Sequence, residues 1–171
     1  MLLCFDKFQS SSNEVQPKDH FFSIVEPGDS PLRKFSRLHN LIVLDHLQNL
    51  GGRYSVLSSV GMLPAMLKGL DIINIRNGAQ EVMKNLLESE KIEEVPSAVS
   101  AASIIALLKN SGIQLNVMMP YTTKLEQFTL WHRQLLAESI GKNGVGITPI
   151  PALGPVDQHS QLQLYLDGPK D

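Results

Sequence analysis

Short apolar runs alternate with segments of helical spacing along the first part of the chain. Residues 21–25 and 41–44 are apolar runs of strand length, and each is followed by turn-forming residues. Between them, Ser30 followed by Pro31 predicts the capped start of a short helix. Small and apolar residues over 55–70 predict a longer helix. This rhythm of strand, helix, strand and helix is typical of a doubly wound parallel sheet, so we predict the α/β class.

The pattern becomes purely helical over residues 72–111. Apolar residues at helical spacing predict a first helix there. Ser97 is expected to cap a second helix over 98–108, which Gly112 ends. We interpret residues 72–111 as a helical bridge and the acidic residues 88–94 as its solvated face.

A second α/β unit begins after this bridge. The pattern predicts strand, helix, strand and helix at 115–119, 125–140, 146–150 and 160–166. Residues 1–9 fit the last two turns of a helix that the polar residues 10–13 stop. We therefore expect residues 1–71 to be the later part of one α/β unit and residues 112–171 to be the beginning of another.

Composition narrows the class of protein. The 171 residues suffice for a sizeable core, and 15 basic residues nearly balance 17 acidic ones, which argues against nucleic acid or an anionic membrane as a partner. The single cysteine, Cys4, cannot form an internal disulfide, which fits a reducing compartment. Asp6 and Lys7 interrupt the apolar start, so we expect no signal peptide and a cytoplasmic location. Lys68 interrupts the longest apolar segment and Lys109 ends the next, so we expect no membrane span.

A glycine turn follows the second predicted strand. Gly51 and Gly52 precede Arg53, and a helix is expected to begin at Ser55. Ligands of open α/β sheets bind at the carboxyl ends of strands, where a glycine turn and a helix start favour a small anion. The same pattern also fits a tight connection with an arginine in a surface ion pair.

Three segments resemble one enzyme family. Gly51-Gly52-Arg53-Tyr54-Ser55-Val56-Leu57-Ser58 is similar to the Gly-Gly-Arg-(Phe/Tyr)-(Ser/Thr) signature of glucose-6-phosphate isomerases. Residues 131–142 and 157–163 resemble the bacterial branch of that family, in the same order. The resemblance implies doubly wound sheets of the sugar-isomerase (SIS) type. It also implies that the chain is a fragment covering the middle of a longer enzyme.

The resemblance further implies aldose–ketose isomerisation of glucose 6-phosphate and fructose 6-phosphate through a cis-enediolate. This reaction needs a base at carbons 1 and 2 and a fixed cation beside the developing negative oxygen. Glu138 matches the family's glutamate in Glu-Ser-x-Gly-Lys, and Arg53 is the candidate cation. Glu138 would close a helix whose apolar face, Leu130, Leu135 and Leu136, is buried, although a solvated helix-end glutamate shows the same pattern.

The cyclic sugar must also be opened, which suits a histidine. His159 matches the family's Asp-x-His-Ser element, although a histidine at a helix start fits too. Gly51, Gly52, Arg53 and Ser55 are the substrate-binding candidates. Ser55 and Ser58 fit a hydroxyl contact to the sugar and a helix start equally well, whereas Lys142 fits a contact to the phosphate less well than it fits a solvated lysine. The implied partners are a hexose phosphate and, in the full-length family, a second copy, with no cofactor or metal. A non-catalytic phosphosugar-binding module is the alternative, against which Glu138 and His159 argue.

The family's phosphate-binding loops and its late lysine have no counterpart in these 171 residues. We therefore predict that the purified chain alone does not interconvert glucose 6-phosphate and fructose 6-phosphate, because ground-state binding and part of the chemistry are missing. A coupled dehydrogenase assay checks this prediction. Turnover that scales with the concentration of the chain would contradict it.

Overall fold

The computed structural model of the chain describes residues 2–11 and 16–169. The chain divides into two compact units, residues 1–73 and residues 74–171. Both units combine helices with parallel strands, so the predicted α/β class is confirmed. In the described ranges, the search for a helix long and apolar enough to cross a membrane finds none.

The first unit contains a pair of parallel strands. Its helices and strands are α1 (Leu2–Ser11), β1 (Phe22–Val25), α2 (Pro31–Leu38), β2 (Ile42–Asp45) and α3 (Ser59–Leu67), with a 3-10 helix (Gly52–Leu57) before α3. Strand β1 pairs in parallel with β2, so that Phe22 lies opposite Ile42 and Val25 opposite Asp45. The carboxyl ends of both strands therefore meet at one edge.

Helix α2 begins as the sequence predicts. The Ser30 hydroxyl accepts the backbone N–H of Arg33 at 3.3 Å, and Pro31 is the first helical residue. On the side facing the sheet, the buried hydroxyls of Ser36 and Ser23 lie 2.8 Å apart, which brings α2 close to β1.

Arg33 ties this helix to the carboxyl edge of the sheet. Its guanidinium donates to the carbonyl oxygens of Val25 and Glu26, both at 3.2 Å, and forms an ion pair with Asp45 at the end of β2. Because the Arg33 side chain is only 14% exposed, these contacts are less screened than surface pairs. The edge from which the glycine turn departs is thereby fixed.

An aromatic cluster holds α1 against the rest of the first unit. The buried ring of Phe5 lies 5.4 Å from Phe21, 5.0 Å from Phe35 and 4.4 Å from His39, measured between ring centroids. Edge-to-face contacts at these separations add to the burial of apolar area. Helix α1 runs two residues beyond the expected end, because the hydroxyls of Ser10 and Ser11 donate to the carbonyl oxygen of Lys7 rather than stopping the helix.

The predicted single helix over residues 55–70 is wrong. The 3-10 helix occupies the first part of this range, and α3 begins only at Ser59, where the Ser58 hydroxyl accepts the backbone N–H of Val60 at 3.3 Å. Ser58 has an extended backbone, so the chain is not helical at this residue. The Ser55 hydroxyl donates to the carbonyl oxygen of Gly52, and this bond stabilises the 3-10 helix rather than the start of an α-helix.

The second unit contains the remaining parallel pair. Its elements are α4 (Ile72–Glu88), α5 (Pro96–Ser111), β3 (Leu115–Met118), α6 (Glu126–Ile140), β4 (Thr148–Pro151), α7 (Gly154–Ser160) and α8 (Leu162–Asp167). Strand β3 pairs in parallel with β4, and α6 connects them and packs on β4. No strand interrupts the chain between α4 and α5, in keeping with the predicted helical stretch.

Two local predictions in this unit fail. Ser97 does not cap α5, because Pro96 is already the first helical residue and Val95 occupies the capping position without a side-chain bond. The end of α5 is correct, since Gly112 takes the left-handed conformation with φ 70°. The helix expected to begin at residue 160 begins instead at Leu162, as α8, because Gln161 leaves the helical conformation with φ −119° and ψ 1°, and the separate helix α7 before it was not predicted.

The buried face predicted for α6 is also wrong in its members. Thr129 is the buried residue of this helix, and its hydroxyl donates to the carbonyl oxygen of Glu126 at 2.6 Å. Leu130 is 37% exposed, and Leu135 and Leu136 are only half-buried. Spacing alone did not distinguish the face that meets β4 from the face left open.

A glycine in α3 allows this helix to approach the 3-10 helix closely. A Cβ added at Gly61 would lie 2.0 Å from the carbonyl oxygen of Val56. We predict that Gly61→Ala lowers the free energy of unfolding by about 1–3 kcal/mol, because backbone must move. Urea-induced unfolding followed by circular dichroism measures this change.

Gly78 in α4 is the matched control, because a Cβ there meets nothing within 4 Å. Gly78→Ala should stabilise the chain by up to about 1 kcal/mol through helix propensity. Equal effects of the two substitutions would contradict the close-approach argument.

Candidate functional site

The glycine turn lies beyond β2 and opens the 3-10 helix. Gly51 is extended, with φ −60° and ψ 147°, and its carbonyl oxygen accepts the backbone N–H of Tyr54 at 2.9 Å. Neither Gly51 nor Gly52 has a positive φ, so their backbone conformation is open to other residues. A Cβ at Gly52 would meet nothing within 4 Å. The turn therefore does not need glycine for its backbone conformation. What the glycines provide is a backbone that a ligand can approach without meeting a side chain.

Arg53 is half-buried beside its own neighbour. The guanidinium carbon lies 4.7 Å from the centroid of the Tyr54 ring, a cation–π distance. The aromatic face restricts where the guanidinium goes, which lowers the entropy lost when it meets an anion. The α-helix start expected immediately after Arg53 is absent, because α3 begins at Ser59.

Two buried serines hold this turn together. The Ser55 hydroxyl donates to the carbonyl oxygen of Gly52 at 2.7 Å, and that of Ser58 donates to the carbonyl oxygen of Ser55 at 2.6 Å. Of the two readings of these residues, Ser58 is a helix start, since it caps α3. Ser55 shapes the loop that carries Arg53.

Glu138 lies on the last turn of α6, on the surface of the second unit. Its carboxylate accepts a hydrogen bond from the Gln134 side-chain amide at 3.0 Å. Both side chains lie on one exposed face of α6, which Gln127, Leu130, Trp131, Arg133 and Ala137 of the same helix also line. Gln134 was missed by the sequence reasoning, although its spacing of four residues from Glu138 places both on one helix face.

His159 is exposed and lies in the last turn of α7, not at a helix start. Asp157 organises this helix: its carboxylate accepts the backbone N–H of Leu153 at 2.5 Å and the side-chain amide of Gln161 at 2.9 Å. The Leu153 N–H, followed by the Gln161 and Ser160 side chains, holds the pKa of the Asp157 carboxyl below its ordinary value, against the opposing effect of desolvation.

The topology of the second unit separates Glu138 from His159. Helix α6 leaves the carboxyl end of β3 and must return to the amino end of β4, because the strands are parallel. Glu138, in the last turn of α6, therefore lies toward the amino ends of the strands. Helix α7, which carries His159, begins after the carboxyl end of β4.

The other residues considered for the site are peripheral. Lys142 is exposed and pairs through its backbone with Val145, across a turn in which Asn143 and Gly144 have positive φ. Over residues 2–11 and 16–169, no group of three His, Cys, Asp or Glu residues is arranged to hold a metal ion.

Comparison with known proteins identifies the family. The family model described as phosphoglucose isomerase matches residues 18–148, which include Arg53, Gln134 and Glu138. The chain belongs to the phosphoglucose isomerase family.

Similar members of this family are curated isomerases from archaea and bacteria. A probable glucose-6-phosphate isomerase of Methanococcus maripaludis is 44% identical over 157 residues, which are 92% of this chain and 35% of that protein. A glucose-6-phosphate isomerase of Rubrobacter xylanophilus is 42% identical over 147 residues, 86% of this chain and 34% of that protein. The chain spans about a third of the length of these relatives.

Solved structures agree with the phosphoglucose isomerase assignment. The glucose-6-phosphate isomerase of Chlamydia trachomatis superimposes with a TM-score of 0.82 at 25% identity, covering 98% of this chain and 34% of that one. A hypothetical protein of Thermus thermophilus gives a TM-score of 0.85 at 32% identity, covering 98% of this chain and 40% of that one. The mixed fold with parallel strands is therefore shared with isomerase structures.

The bonds to Asp157 predict a dependence of α7 on pH. Because the folded pKa is lowered, the carboxylate contributes stability above its unfolded value of about 3.9, and this contribution is lost as pH falls through the folded pKa. Asp157→Ala should therefore weaken the protection of the Leu153 amide at pH 6, and by progressively less as the pH falls through the folded pKa of Asp157. Hydrogen exchange followed by NMR measures this difference.

Asp167→Ala, at the end of α8, is the control and should leave the Leu153 amide unchanged throughout this pH range. A loss of protection in Asp157→Ala that stays the same at every pH down to full protonation of the carboxyl would show that the carboxylate charge is not involved.

Proposed function

We propose that this chain supplies part of the catalytic apparatus of a glucose-6-phosphate isomerase, which interconverts glucose 6-phosphate and fructose 6-phosphate in glycolysis and gluconeogenesis in the cytoplasm. The observation that carries the proposal is Glu138, hydrogen-bonded by Gln134 on the exposed face of α6 in a member of this family. Within these units, residues 1–71 and 112–171 then form parts of two SIS-type, doubly wound subdomains. Residues 72–111 bridge them.

Glu138 is the base in this proposal. Its carboxylate removes the proton from carbon 2 of the open-chain sugar, so that a cis-enediolate forms, and returns this proton to carbon 1; the proton of the carbon 2 hydroxyl passes to the oxygen of carbon 1 as the enediolate collapses to the ketose. The Gln134 amide donates to this carboxylate and fixes its orientation. A base of this kind contributes about 10²–10⁴-fold to the rate.

Arg53 stabilises the negative oxygen of the enediolate. Its guanidinium carries a permanent charge and is already held over the Tyr54 ring, so little reorganisation is needed as negative charge develops. The open backbone at Gly51 and Gly52 allows a sugar phosphate to approach closely, and Ser55 shapes this turn from within.

His159 opens the cyclic sugar by giving a proton to the ring oxygen, a task that suits an imidazole near neutral pH. Because the crossover sends Glu138 and His159 toward opposite ends of β3 and β4, we propose that one sugar is served by Glu138 of one copy and His159 of a second. The functional assembly is then a homodimer.

Replacing the matching 147 residues of the Rubrobacter xylanophilus relative by this chain tests the proposal. The chimera should interconvert the two hexose phosphates. Glu138→Gln should lower kcat by about 10²–10⁴-fold, because the base is lost while the hydrogen-bonding shape remains. Arg53→Lys should lower kcat by at least about tenfold, because a lysine does not reproduce the guanidinium geometry.

Glu126→Gln, in the first turn of α6, is the matched control and should leave kcat within about twofold. A chimera that is folded by circular dichroism yet inactive would contradict the proposed function. So would an active chimera in which Glu138→Gln and Glu126→Gln have equal effects.

A further inference from the structure

The loop after β3 contacts α7 at both ends of that helix. The carbonyl oxygen of Pro120 accepts the backbone N–H of Gly154 at 2.8 Å, and the Tyr121 ring lies against Gly154 itself. The Tyr121 hydroxyl donates to the side-chain oxygen of Gln158, one residue before His159. The Tyr121 side chain therefore contacts α7 at its first residue, Gly154, and at Gln158, the residue before His159.

Gly154 is required for this contact. A Cβ at this position would lie 2.8 Å from the Cγ and Cδ1 atoms of Tyr121, which are the inner part of the ring and not its flexible end. Gly154 is buried, whereas Val156 and Gln158 of the same helix are exposed. The helix thus approaches the β3 loop through its one residue without a side chain.

Helix α7 depends on such contacts because it is short. It has seven residues and no side chain capping its first turn, and isolated helices of this length are unstable in water. Asp157 stabilises the helix locally through Leu153 and Gln161, but those bonds do not attach it to β3. The attachment comes from Pro120 and Tyr121.

We propose that Tyr121 is a positioning residue for His159. Its ring, seated on Gly154, and its hydroxyl, bonded to Gln158, set the position of α7 at the carboxyl ends of β3 and β4. Tyr121 does not touch the sugar; it acts through the helix. This inference rests on the proposed function only for the role of His159, since the attachment of α7 to the β3 loop is a property of the chain itself.

Hydrogen exchange and NMR of the 171-residue chain test the attachment without any activity. Tyr121→Phe keeps the ring and removes the hydroxyl, so exchange of the α7 amides should accelerate about three- to tenfold. The ring resonances of His159 should shift, while the melting temperature stays nearly unchanged. Gln158→Leu should reproduce these effects, and combining it with Tyr121→Phe should add little.

Two further variants sharpen the test. Gly154→Ala raises intrinsic helix propensity, yet it should accelerate exchange in α7 because the new methyl group displaces the Tyr121 ring. Ser103→Ala is the control: the Ser103 hydroxyl donates to the carbonyl oxygen of Val99 at 2.8 Å, so the variant loses a hydroxyl bond within α5 and none at α7. It should leave the His159 resonances in place.

In the active chimera, Tyr121→Phe should lower kcat by about three- to tenfold with little change in KM, because α7 is misplaced while the groups that hold the substrate are intact. Unchanged His159 resonances and unchanged α7 exchange in Tyr121→Phe would overturn the positioning role, even in an active chimera. An inactive parent chimera, with the NMR effects as expected, would instead contradict the proposed function and leave the attachment of α7 established.

Discussion

The parallel pairing of β3 with β4 is the constraint on which the candidate site depends. Parallel neighbours need a crossover, so α6 must run from the carboxyl end of one strand to the amino end of the next. This carries Glu138 away from the edge at which the β3 loop and α7 meet. The same pairing brings Tyr121 and Gly154 together, because both follow the carboxyl ends of strands. The separation of Glu138 from His159 and the attachment of α7 to the β3 loop are two results of one topology.

The sequence predicted helix ends correctly where interactions within a few neighbouring residues determine them. Pro31 after Ser30 starts α2 and Gly112 ends α5, because capping and the left-handed conformation depend on few atoms. The sequence signals failed where a hydrogen bond made by a side chain accompanies a break in the helix. The Ser55 hydroxyl binds the carbonyl oxygen of Gly52 in a 3-10 turn, and the Gln161 amide binds the Asp157 carboxylate where α7 and α8 separate. The spacing of hydrophobic residues does not predict these hydrogen bonds.

The candidate site was predicted through motifs rather than through packing. Arg53, Glu138 and His159 came from the family resemblance, and the match of the family model over residues 18–148 supports the family on which their roles rest. Gln134 and Tyr121 were missed, for different reasons. The Gln134 contact was available from helical spacing, whereas the contact of Tyr121 with Gly154 joins residues far apart in the chain and exists only once β3 and β4 have paired.

The central claim is that Glu138 and His159 act on one sugar from two copies of the chain. Mixing chimeric subunits that carry Glu138→Gln with subunits that carry His159→Ala, under conditions of subunit exchange, tests it most directly. Each mixed dimer would contain one intact site, so activity should recover to about a quarter of the parent value in an equal mixture. If both residues came from the same copy, mixing would restore no activity, and the account would be contradicted.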